Sequence, residues 1–124
     1  MLRDDAGDFA AGEAAFRSAL ELAAESDRAH NNLGYNLLLQ NKEDAAEGEF
    51  RRAVELNSKS TTARNNLGVV LAHRGDLRGA LDQFELASDA ATAHNNLAVV
   101  LLEMGRYEES RDELVRALGI RHYF

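Results

Sequence analysis

Asn31-Asn32-Leu33-Gly34 returns as Asn65-Asn66-Leu67-Gly68, 34 residues later. The same interval separates Phe16, Phe50 and Phe84, then Ala19, Ala53 and Ala87, then Gly7, Asn41 and Gly75. A further copy follows after 30 residues: Asn95-Asn96-Leu97-Ala98, with Gly105, Leu114 and Ala117 in register behind it. Independent positions sharing one register mark an internal repeat, and a period in this range means an array of stacked supersecondary units.

Each unit reads as two helices. Ala29, Leu33 and Leu37 form one stripe at i, i+4 and i+8, which predicts a helix from about Arg28 to Gln40. A turn is expected around Asn41, Gly75 and Gly105, where Gly ends a helix in the left-handed conformation at little cost. The second helix carries Ala46, Phe50 and Ala53, or Ala80, Phe84 and Ala87, on one face. Ser26 and Ser60 stand where N-caps belong. In the short copy the second helix is expected to end near Ala87, with Ser88 or Asp89 capping the next. The chain has no Pro and is rich in Ala and Leu, which favours helix throughout. One such pair cannot bury its apolar stripes alone, so neighbours must stack to close a core.

Composition removes several functions. The 124 residues carry 14 Lys and Arg against 21 Asp and Glu, a net charge of −7 that opposes binding to phosphate backbones. No Cys is present, which excludes disulfides, a thiolate nucleophile and zinc ribbons. No apolar run reaches the roughly 18 residues of a membrane span, and the first residues lack the apolar core of a signal peptide. The compartment is not written in the sequence; the cytoplasm is the default expectation. No phosphate-binding Gly-rich loop, His-Glu-x-x-His pair or Gly-x-Ser-x-Gly elbow occurs, so the expectation is a chain that is not an enzyme and needs no cofactor or metal.

The repeat resembles the tetratricopeptide repeat family, with its 34-residue unit. Matches are Leu33, Gly34, Ala46, Phe50 and Ala53 in residues 27–60, then Leu67, Gly68, Gly75, Ala80, Phe84 and Ala87 in residues 61–90. Residues 91–124 contribute Leu97, Ala98, Gly105, Tyr107 and Ala117, while 1–26 match mainly a second helix through Gly7, Phe9, Phe16 and Ala19. The resemblance implies an all-α, right-handed superhelix (a solenoid) of antiparallel helix pairs. The family's Pro near the end of each unit is missing, with Ala24 and Ser58 in its place. Ser110 replaces a small Ala and Leu114 an aromatic, which predicts looser packing of the last unit. In repeat numbering Met1 falls at position 9 and Phe124 at position 34, which reads as a fragment of a longer array.

The resemblance also implies that first helices line a concave face. Its positions 2, 5, 6, 9, 12 and 13 are then Arg28, Asn31, Asn32, Tyr35, Leu38 and Leu39 in one unit, and Thr62, Asn65, Asn66, Val69, Ala72 and His73 in the next. The last unit supplies Thr92, Asn95, Asn96, Val99, Leu102 and Glu103. Asn is a mediocre helix former, yet a pair recurs in three helices. One primary amide offers two donors and an acceptor and can hold a peptide group's C=O and N–H together. The pairs are similar to the asparagine ladder of the O-GlcNAc transferase repeat domain. The family's carboxylate clamp is missing, since position 5 is always Asn and only Arg28 is basic at positions 2 and 6.

The expected function is a protein-interaction scaffold that takes an extended peptide segment of a partner in this groove. The alternative is self-association into a homodimer through the repeat ends, suggested by the apolar tail Ile120 to Phe124. His30 and His94 share the position where a bulky residue packs between helices, and a structural role is expected for them. His73 and His122 have no ligand partner at zinc spacing. The acidic runs Glu43 to Glu49 and Glu108 to Glu113 read as a solvated back.

Overall fold

The computed structural model describes residues 6–22 and 25–122; of these, Ala6, Gly7 and Ile120 to His122 are described by their backbone alone. Among them the chain forms seven helices and no strand: α1 (Ala6–Leu22), α2 (Asp27–Leu39), α3 (Glu43–Leu56), α4 (Thr61–His73), α5 (Leu77–Ala87), α6 (Ala90–Glu103) and α7 (Tyr107–His122). Within the described residues no helix is long and apolar enough to cross a membrane.

Three turns have one construction. Asn41, Gly75 and Gly105 adopt φ of 62°, 91° and 78°. The N–H of the following residue reaches back to the third-last helical carbonyl: Lys42 to Leu37 at 2.9 Å, Asp76 to Leu71 at 2.9 Å, Arg106 to Leu101 at 2.8 Å. These are Schellman turns, which satisfy the free carbonyls of a helix end. Each starts the next helix within a few residues, so the two helices fold back antiparallel. Helix starts are capped by side chains: Ser26 accepts from the Ala29 N–H at 3.1 Å and Ser60 from Ala63 at 3.1 Å. Helix α5 closes at Ala87, and Asp89 caps α6 by accepting from Thr92 at 2.7 Å.

The chain divides into two compact units, Met1–Asn66 and Leu67–Phe124. In the first, α2 packs against both α1 and α3, around Leu33, Leu37, Ala46, Phe50 and Ala53, all at most 1% exposed. Gly34 explains how the Phe50 ring fits there: a Cβ on it would stand 2.7 Å from two ring carbons. In the second unit the same relation joins Gly68 and Phe84, at 2.5 Å. Here α6 packs against α5 and α7, burying Leu97, Ala98, Val100 and Leu101.

One expectation about the last helix needs correction. Ser110 does not loosen its pair; it is buried and donates its hydroxyl to the Ala98 carbonyl at 2.7 Å. Leu114, in contrast, is 41% exposed where Phe50 and Phe84 are sealed. The acidic runs are not wholly solvated either. Glu49 meets His30 Nδ1 at 2.7 Å and Glu113 meets His94 Nδ1 at 2.7 Å, each tying a first helix to its second. Glu113 also pairs with Arg116. Ala24, Tyr123 and Phe124 lie outside the described residues, as do the side chains of Ile120, Arg121 and His122, so the apolar tail has no structural account.

Candidate functional site: a groove along α2

The first unit carries a depression of about 480 Å³ lined by Phe9 and Phe16 of α1, by Asn31, Asn32, Tyr35, Asn36 and Leu39 of α2, and by Thr62 and Asn66 of α4. Helical periodicity gathers the α2 set, since residues three and four apart share a face. Tyr35 and Leu39 are 52% and 46% exposed, large apolar surfaces that face solvent. A second depression of about 380 Å³ shares Asn31, Asn32 and Thr62 with the first and adds Asp27, Arg28, Asn57 and Ser60. The two therefore form one path along α2, polar at its start and apolar toward its end.

The amides are not equivalent. Asn66 Nδ2 donates to Asn31 Oδ1 at 3.0 Å, a bond between neighbouring helices that sets the orientation of both. It leaves the Asn66 carbonyl oxygen, its second N–H and the Asn31 amino group for other partners. Asn32 is exposed beside them. Asn65 is half-buried, and its Oδ1 is sealed from solvent without a hydrogen-bond partner, a costly arrangement for a carbonyl.

In the second unit Asn96 and Thr92 are half-buried on α6, and Asn95 and Val99 are exposed. Val69 is half-buried and His73 exposed, both on α4. Ala72 is fully buried and cannot line a surface.

Three groove residues went unnoticed in the sequence, Phe9 and Phe16, because they precede the first complete repeat, and Asn36, whereas Leu39 was expected on this face and lines it. Asn36 had a readable signal. It stands where the other copies have Val70 and Val100, both core residues, so a polar side chain there needs a partner. Its Oδ1 accepts from Gln40 Nε2 at 2.7 Å, and that amide also donates to Glu13 Oε1 at 3.0 Å. Gly12 makes room for Asn36, since a Cβ there would lie 2.8 Å from its Nδ2. Lys42 and Arg17 complete the cluster, donating to Glu13 at 3.1 and 2.9 Å. Together these bonds hold the Glu13 carboxyl down at about 2, from an ordinary 4.5, with the Arg17 hydrogen bond as the largest cause. The Arg17 bond lies within α1, while the Gln40 and Lys42 bonds tie α1 to the end of α2 and so set one wall of the groove.

Antiparallel helix pairs closed by Schellman turns, with a small residue under each aromatic ring, define a helical-repeat scaffold. The family can be stated as well. One tetratricopeptide repeat model matches residues 1–61 and again 40–90, and a second matches 90–122. The chain belongs to the tetratricopeptide repeat family, and with that goes the general role of a protein-interaction scaffold.

Similar solved structures include a crystal structure of MamA, at 20% identity and a TM-score of 0.67, covering 90% of this chain and 67% of that one. Another MamA structure shows 21% identity and a TM-score of 0.68, covering 86% and 61%. A third, MamA MSR-1 C2, shows 22% identity and a TM-score of 0.67, covering 94% and 70%. This likeness concerns the fold. No curated protein matches the chain.

Proposed function

We propose that the chain binds an extended segment of a partner protein along the groove on α2. The observation that supports this most is the placing of Asn31, Asn32 and Asn66 around an apolar basin open to solvent. Amides grip the peptide backbone and the basin takes a side chain. The Asn31–Asn66 bond orders two of the amides before the ligand arrives, which lowers the entropy lost on binding. Asn65 assists within the first unit, and in the second unit Asn96 holds the same repeat position and offers an equivalent amide, with Asn95 beside it. Tyr35, Val69 and Val99 sort side chains, and Arg28, Thr62, Thr92 and His73 frame the surface. The reading is one of binding without catalysis and without nucleic acid.

The test is selection of peptides from a displayed random library on the parent chain, followed by measurement on Asn32→Ala/Asn66→Ala/Asn96→Ala. Each neutral amide contact contributes about 0.5–1.5 kcal/mol. The triple variant should keep its helical circular dichroism and lose roughly tenfold or more in affinity. Equal affinity for the selected peptides would remove the ladder.

A second reading, self-association through the last helix, has one observation in its favour. Leu114, Val115 and Leu118 on α7 are 41%, 61% and 67% exposed. Sedimentation should then show a concentration-dependent dimer that Val115→Lys/Leu118→Lys abolishes. A monomer at all concentrations counts against it.

A further inference from the structure

We propose that the segment taken by the α2 groove carries an aromatic or large aliphatic side chain and, three residues from it, an Asp or Glu. This rests on the peptide-groove reading above and adds the chemistry of the occupant. The apolar requirement comes from the basin between α1 and α2, where Phe9, Phe16, Tyr35 and Leu39 meet. Exposed apolar surface of this kind gains from being covered.

The acidic requirement comes from the other end of the path. Arg28 is exposed and has no ion pair among the described residues, whereas most Arg side chains here do. The one carboxylate beside it in the depression, Asp27, accepts from Asn57 Nδ2 at 3.2 Å. An uncommitted cation at the mouth of a groove attracts a ligand carboxylate and repels a cationic side chain at contact range. The net charge of −7 opposes a polyanion, so the group that fits is a single carboxylate in an otherwise neutral segment.

The spacing follows from geometry. Arg28 and Tyr35 are seven residues apart on one helix, about 10.5 Å at 1.5 Å per residue. A peptide in the polyproline II conformation advances about 3.1 Å per residue and brings every third side chain back to the same face. A side chain seated against Tyr35 therefore places the group three residues away beside Arg28. Asn31 and Asn32 lie between, where they meet the intervening backbone.

The test titrates the ¹⁵N-labelled full chain with capped ten-residue peptides of Thr, Ser and Gly that hold one Phe and one Glu at separations from one to six. The separation of three should bind tightest, by about two- to fivefold over the same peptide with Gln, the range of a solvent-exposed ion pair. Arg28→Glu should erase that preference and favour the peptide with Lys in the acidic place. Equal affinities for the Glu and Gln peptides, with the Asn32 and Asn66 side-chain signals still shifting, would overturn the acidic requirement and leave the groove. No shift at those amides with any of the peptides would overturn both.

Discussion

Glu13 receives hydrogen bonds from Arg17, Gln40 and Lys42, and all three favour its ionised form. Its carboxyl therefore sits at about 2 when folded, below the ordinary 4.5. A depressed carboxylate stabilises the fold above the unfolded value and loses that contribution as pH falls toward the folded one. The attachment of α1 should be full at neutral pH and fade between about 4.5 and 2. Glu13→Gln removes the charge, so amide exchange in α1 should be faster in the variant at pH 7. The difference from the parent should vanish near pH 2. A gap that persists at pH 2 would show that the charge is not what pins the helix. Because α1 supplies Phe9 and Phe16 to the groove, the same variant should also weaken peptide binding without touching a groove side chain.

At the scale of the helix pair, the coupled choice of residues at two repeat positions decides how closely the helices approach. Gly34 faces Phe50 and Gly68 faces Phe84, while the last pair combines Ala98 with Leu114. A methyl group on Gly68 would meet the Phe84 ring at 2.5 Å, so Gly68→Ala should destabilise the chain by about 1–3 kcal/mol through overpacking. Adding Phe84→Leu should recover part of that loss, because the shorter side chain already accompanies Ala in the last pair. A double-mutant cycle in denaturant measures the coupling; strictly additive losses would contradict it. The His30–Glu49 and His94–Glu113 bridges repeat at matching positions, whereas the shortened copy has Arg64 and Gln83 there.

For the molecule as a whole, the helix pairs were legible because period, stripe and turn residues agree. Asn41, Gly75 and Gly105 were each expected to turn the chain, and each has positive φ. The all-α class follows directly, and the family match extends it. The site was legible only in part. Sequence register picks out Asn31, Asn32, Tyr35, Thr62 and Asn66, which line the α2 groove. It could not foresee that Asn31 and Asn66 bond to each other, because that depends on the distance between two helices. Phe9 and Phe16 were hidden for a related reason: Phe16 keeps the register of the buried Phe50 and Phe84, so the periodic pattern marks the opening helix as packing and not as a groove wall. Glu49 and Glu113 read as surface charges because a carboxylate's cross-helix partner lies 19 residues away.

The most direct test of peptide capture is the side-chain amide region of a ¹⁵N correlation spectrum, recorded while a selected peptide is added. The NH₂ pairs of Asn32 and Asn66 should move in step with binding, together with backbone signals near Tyr35. Shifts confined to α3, α5 or α7, with both amides unmoved, would contradict the account.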